Sequence, residues 1–258
     1  FPGKFSDRAG EYFRKFGLER TRKAMARWYR NAIENARLVP TAQEFHNTQE
    51  DLEAAALAKP NPKSFVDNLN MFDCSKVSDG AASIAILSEE GLKKAGIDKK
   101  DAVEVIGFGQ VEADLTLPPA DRAKLDTTEE AVKRALASAG IGVKDLGTVE
   151  CHDCFTITGI LSVEAIGLAG QGEGADFVSA GNTARNGKIP FNTTGGLVGW
   201  GHPTGATGVR QAVTIWEQLT GKAGKWQIEL PADRPYALSI SMGGNDRTVV
   251  AIVYRRAA

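Results

Sequence analysis

The sequence predicts an α/β protein, and three observations lead there. Apolar, strand-like stretches alternate with runs of helical periodicity from about residue 98 to 258. Several of the helical runs stop at a glycine, the usual C-terminal cap. The C-terminal stretch "YALSISMGGNDRTVVAIVYR" reads as two strands around a glycine turn, a hairpin.

Each element follows from its own residues. Residues 1–65 are helical and loop-rich, end in the Pro-punctuated "AKPNPKS", and are expected to form a separate appendage. Residues 66–97 contain "SDGAASIAILSEEGLKKAG", which predicts a short buried strand over Ala82–Leu87 and a helix closed by Gly96. "AVEVIGFGQVEA" (102–113) predicts a strand, and "LTLPPADRAKLD" a loop. Thr127 with Glu130 has the spacing of a capping box, opening a helix that ends at Gly140. "LGTVECHDC" is a strand running into a polar tip, and "FTITGILSVEAIGLAG" places Phe155, Ile160, Val163 and Ile166 at helical intervals. A last helix starts at Ala206 and stops at Gly221.

Composition narrows the function. With 258 residues, 42% hydrophobic and 24% charged, the chain can bury a sizeable core. A net charge of −1 argues against bulk nucleic-acid binding. No apolar run approaches the ~20 residues of a membrane span, and the N-terminus lacks a signal peptide's apolar centre. Three cysteines make no disulfide framework, so a cytoplasmic setting is expected. A start at Phe1 rather than Met suggests a piece of a longer polypeptide. Between Arg14 and Arg37, eight Lys/Arg stand against two Glu, and Arg20, Lys23, Arg27 and Arg30 share a helical face. That face is either merely solvated or a surface for a small phosphate-bearing ligand such as a nucleotide or coenzyme A.

Chemistry-bearing residues gather at four turns. In "GHPTGATG" (201–208) glycine permits tight angles, and Pro203 stiffens the elbow that carries His202 towards a helix start. An imidazole so held serves as base or hydrogen-bond donor. "ECHDCF" (150–155) places His152, Asp153 and Cys154 where a strand passes to a helix, the edge at which open α/β sheets bind ligands. A thiol in the first turn of that helix is expected to have a lowered pKa. Cys151-x-x-Cys154 is alternatively a redox or zinc pair, though no second pair exists and no metal is expected; alternation makes Cys151 a core residue. "NTTGG" (192–196) and "SMGGND" (241–246) add turns whose N–H groups are the raw material of an oxyanion hole.

"HDCF", "NTTGGLVGWGHPTGATG" and the closing "MGG" resemble, in the same order, the C-terminal half of thiolases, nearest to the sterol carrier protein thiolases and acetyl-CoA acetyltransferase-like proteins. "DCSKVSDGAAS" resembles the end of that family's N-terminal half, and residues 1–65 its loop domain over coenzyme A; 98–258 would be the C-terminal thiolase domain. The resemblance implies a thiolase-like fold, half of a five-layer α-β-α-β-α arrangement, and acyl transfer on CoA thioesters. It also implies homo-oligomers, dimers or tetramers, and a place in lipid metabolism. On the matching positions it makes His202 the activating histidine and a donor to the first oxyanion hole, with His152 the second contributor. Cys154 would be the acid/base and Gly243 a backbone donor to a second hole. Arg20, Lys23, Gly196 and Gly201 are the expected coenzyme A contacts. Ser241 stands where other members keep a catalytic cysteine, and "NTTGG" replaces their Asn-Pro-Ser-Gly-Gly. The family's nucleophilic cysteine lies upstream of these motifs, and Cys74 does not match its context. The nucleophile is therefore expected from outside these residues, on a longer chain or a second one. The alternative is a non-catalytic, CoA-binding scaffold.

Overall fold

A computed structural model describes residues 1–257. Nine helices are described: α1 (Pro2–Phe16), α2 (Leu18–Ala36), α3 (Leu52–Ala56), α4 (Glu89–Ala95), α5 (Asp126–Ala139), α6 (Thr156–Ile166), α7 (Gly174–Ser179), α8 (Gly196–Gly199) and α9 (Thr207–Thr220). Four strands, β1 (Val103–Glu112), β2 (Leu146–Glu150), β3 (Tyr236–Gly243) and β4 (Thr248–Arg256), form one sheet in the order β1-β4-β3-β2. The β3–β4 hairpin and the β1–β4 pair are antiparallel, whereas β2 joins β3 in parallel.

Strand alternation sorts the core into two layers. On one face Leu238, Ile240, Val249, Ala251 and Val253 meet α5 and α6; on the other Ala237, Ile252 and Tyr254 meet α9 through Ile215 and Leu219. In α6 every residue but Glu164 is buried, the mark of a helix enclosed on all sides. Phe5, Ala9, Tyr12, Ala24, Met25 and Trp28 of α1 and α2 pack into the same cluster as α6. The helices of residues 1–65 thus share the core instead of standing apart from it.

Two local expectations are corrected. Ala82–Leu87 is neither a strand nor buried: Ile84, Ile86 and Leu87 are 49%, 85% and 43% exposed. An apolar strand is buried only where a sheet accepts it, and the described sheet pairs it at neither edge, β1 nor β2. The start of α5 is not closed by Thr127 and Glu130. Asp246, from the hairpin turn, reaches over and accepts the N–H groups of Thr127 (3.1 Å) and Thr128 (3.0 Å). A long-range carboxylate has taken the place of the local cap, and it also meets the positive end of the helix dipole.

Candidate active site

β2 and β3 are parallel, so both point their C-terminal ends at one edge of the sheet. Beyond Glu150 the chain descends through Cys151, His152, Asp153 and Cys154 into α6. The imidazoles of His152 and His202 meet edge to face, with ring centroids 5.0 Å apart and planes at 88°. The two histidines, 50 positions apart in sequence, thus form one cluster.

His202 is held on two sides. Its backbone N–H donates to Ser78 Oγ at 3.0 Å, and ring Nδ1 lies 2.8 Å from Thr207 Oγ1 in the first turn of α9. Gly201 makes the approach feasible. Its φ is +125°, and a Cβ there would stand 2.8 Å from Ser78 Oγ. Burial lowers the pKa of His202. His152 is more deeply enclosed: burial, then the neighbouring His202, lowers its pKa to about 3, so it is a neutral imidazole. Its Nδ1 is buried and has no hydrogen-bond partner among the described residues. An unmatched buried nitrogen costs stability.

Cys154, two residues beyond His152, is buried, with its carbonyl accepting the N–H of Ser75 at 2.9 Å. The expected low thiol pKa is reversed. Burial, then the charge of Asp153, pushes it well above the ordinary thiol value. Helix-end fields contribute about 0.3–1 kcal/mol, whereas full burial shifts a pKa by several units, so desolvation wins. The residue carries its proton at neutral pH, which suits a proton donor. Cys74, half-buried, is pushed up to about 11 by burial and by Asp73. Cys151 is fully buried, its N–H donating to Asn192 Oδ1 at 2.8 Å, and burial raises its thiol pKa too. It is a core residue.

Asp153 and Glu150 are the residues that sequence reasoning undervalued. Fully buried, Asp153 accepts Trp28 Nε1–H at 2.9 Å and the N–H of Leu197 at 2.7 Å. It therefore joins α2, the His152 turn and the start of α8. Burial raises its pKa to about 7 against those two hydrogen bonds. Glu150, likewise at about 7 through burial, accepts the N–H of Thr193 at 2.9 Å and its hydroxyl at 3.2 Å. Proline, the family's usual residue at that position, has no N–H to give, so the Thr193 departure creates this tie.

The remaining expected site residues fall as follows. Gly196 has φ +60°, and a Cβ there would sit 2.5 Å from Asp153 Oδ1 and 2.4 Å from Asn192 Nδ2, so protein atoms crowd it. Gly243 ends β3 two residues beyond Ser241, whose Oγ lies 3.1 Å from where a Cβ on Gly208 of α9 would stand. This contact brings the end of β3 against the first turn of α9. On α2, Arg20 pairs with Asp176 at 3.0 Å and donates to the carbonyl of Gly172, while Lys23 is exposed. Arg27 and Arg30 both pair with Glu53. The basic face is thus largely answered by acidic residues of the same chain.

The neutrality of His152 has a pH signature. Unfolded, the residue takes up a proton below about pH 6.5; folded, it does so only near 3. Between these values the unfolded chain binds more protons, so this residue makes stability rise with pH by about 1.4 kcal/mol per unit. Glu150 and Asp153, raised, act in the opposite sense over about pH 4–7. A His152→Asn variant isolates the histidine's part. Its urea midpoint should lose less on acidification from about pH 6.5 to 5 than the parent's, a difference of about 2 kcal/mol. Identical acid slopes would mean that His152 is not held neutral.

Similarity to known proteins places the chain in a family. The family described as thiolase C-terminal domain-like matches residues 113–256, more than half of the chain. An acetyl-CoA acetyltransferase of Methanothermobacter thermautotrophicus is 33% identical over 257 residues, covering 99% of this chain and 63% of that protein. Sterol carrier protein 2 of Rattus norvegicus is 30% identical over 88% of this chain and 41% of its own length. A solved Ltp2-ChsH2(DUF35) aldolase superposes with a TM-score of 0.80 at 18% identity, over 98% of this chain and 63% of that one. The chain therefore spans less than two thirds of each. No described helix is long and apolar enough to cross a membrane. On its match to the family over more than half of its length, the chain belongs to the thiolase family.

Proposed function

We propose that this chain supplies the oxyanion-stabilising and proton-donating part of an acyl-transfer site acting on 3-ketoacyl-CoA thioesters. The observation that carries the reading is the edge-to-face pair of His152 and His202, with a protonated Cys154 two residues along the chain from His152. A cysteine from outside these residues, on a longer chain or a partner, attacks the 3-keto carbon. The C2–C3 bond breaks, leaving the acyl group on that sulfur and an enolate of acetyl-CoA. His202 takes the attacking thiol's proton, and it and His152 then stabilise the enolate oxygen by hydrogen bonds, the neutral imidazole of His152 being a competent donor. Cys154 delivers its proton to the carbanionic carbon; the coenzyme A thiol gives its proton to the Cys154 thiolate and attacks the acyl carbon, and the released nucleophile regains its proton from His202. The exposed apolar residues Ile84, Ile86 and Leu87 support a further polypeptide surface packing on this segment.

Intact-mass analysis of the native protein with every co-purifying chain is the test. An acyl adduct on a cysteine outside these 258 residues supports the reading. CoA binding without any acylation in the complete assembly supports the scaffold reading, favoured by the raised pKa of all three cysteines. An enolate formed without any thiol adduct would point to aldol-type cleavage, the activity named for the aldolase neighbour.

Lys23 is proposed to meet the phosphates of coenzyme A, with Arg20 released from its exposed pair with Asp176, since such pairs contribute little. Lys23→Glu should weaken CoA binding several-fold at low salt and less at high salt. An unchanged Kd would leave the basic stretch a solvated face.

A further inference from the structure

We propose that Thr207 is a positioning residue that fixes His202 in its Nδ1–H tautomer, leaving Nε2 free to accept a proton. The inference rests on the reading of His202 given above, but it concerns the ring's state rather than turnover. Thr207 Oγ1 lies 2.8 Å from His202 Nδ1 and 3.2 Å from the carbonyl oxygen of Pro203, four residues earlier. A hydroxyl has one hydrogen. A threonine in a first helical turn commonly gives that hydrogen to the carbonyl four residues back, and Pro203 offers one here. The hydroxyl oxygen is then an acceptor, and only a ring whose Nδ1 bears hydrogen satisfies it. Thr207 is 5% exposed, so water does not compete freely for this contact.

The consequence is directional. Free histidine in water favours the opposite tautomer, with hydrogen on Nε2, and such a ring presents a donor from the start. Held as Nδ1–H, His202 first accepts the proton of an attacking thiol at Nε2. The S–H bond breaks as the N–H bond forms, and the imidazolium so made then offers that N–H as a hydrogen bond to the oxygen of the developing enolate. One nitrogen thereby serves as base and then as donor, in that order. The Pro203 carbonyl also accepts the N–H groups of Ala206 (2.8 Å) and Thr207 (3.0 Å), so the hydroxyl's acceptor is fixed by the same turn that starts α9.

Nitrogen-15 NMR of the labelled chain tests this without any need for activity. Long-range proton–nitrogen correlations distinguish the tautomers, and only His46, His152 and His202 contribute imidazole signals. His202, assigned by loss of its signal in His202→Asn, should show the Nδ1–H pattern at neutral pH. Thr207→Val, which keeps the shape and removes the hydroxyl, should convert it to mixed or Nε2–H signals, and Thr207→Ser should restore the parent pattern. An Nε2–H pattern in the parent overturns the proposal even if Thr207→Val fails to fold. So does an unchanged pattern in a folded Thr207→Val. In the complete assembly, Thr207→Val should cost about tenfold in turnover, with rescue by serine. A correct tautomer in an assembly that never turns over would refute the proposed function and leave this inference intact.

Discussion

Replacing His202 by alanine should lower turnover of 3-ketoacyl-CoA by 100-fold or more in an assembly that holds the nucleophile. The magnitude follows from two roles on one ring. Loss of a single oxyanion donor costs about 10²–10³ in kcat, and loss of a proton acceptor from the nucleophile adds to it. Substrate affinity should change far less, because the enolate oxygen bears its charge only in the transition state. The fold should tolerate the change: His202 is only partly buried, and its ring's hydrogen-bond partner, Thr207 Oγ1, keeps the Pro203 carbonyl. The measurement is a kcat and KM pair for parent and variant, with the urea midpoint as control. Turnover within a few-fold of the parent, at unchanged stability, would remove His202 from the mechanism.

Replacing Asp73 by alanine should produce the largest loss of stability, about 3–5 kcal/mol. Asp73 is fully buried and accepts Arg22 Nη1–H at 2.6 Å, Thr156 Oγ1–H at 2.8 Å and the N–H of Asn70 at 2.9 Å. It is the junction of α2, the start of α6 and the segment that enters the site through Cys74. Its removal strands a guanidinium in the interior, since the side chain of Arg22 is only 10% exposed and keeps little more than the carbonyl of Ala56. A denaturant series should show a lower midpoint with an unchanged slope, and melting should fall by about 10 °C. Recovery of most of the loss in an Arg22→Met, Asp73→Ala double variant would confirm that the cost is the stranded charge. A loss below about 1 kcal/mol in the single variant would show that the pair is not buried in solution.

The two cases also show what a sequence reveals. The elements of residues 98–258 were legible because their periodicity is local: β1, α6, α9 and the closing hairpin fall within a residue or two of where apolar spacing and terminal glycines put them. The turns that carry His202, His152 and Cys154 were legible because tight glycine turns and polar strand tips are local as well. Partnerships were not. Nothing in "ARWYR" indicates that Trp28 donates to Asp153, and nothing in "GGND" indicates that Asp246 closes α5. Ala82–Leu87 failed for the same reason in reverse: its pattern is that of a strand, and whether a strand is buried depends on what lies beside it. The thiol of Cys154 failed because helix position is local and desolvation is not.

The bond from Trp28 to Asp153 bears on how any ligand arrives. Helices that close over a ligand swing on a few hinge residues and have little to break when they open. α2 is not built that way. It is sunk in the common core, it holds the carboxylate next to His152 from within, and Asn35 near its far end donates to the carbonyl of Asn192 at 3.1 Å. Moving it would expose both. The helical segment tied to Asp153 is therefore expected to behave as a fixed wall, so that a ligand enters past a standing doorway instead of waiting for a gate. Such a site loses little affinity to reorganisation, and its on-rate should follow charge steering and salt, with no separate closing step in the kinetics.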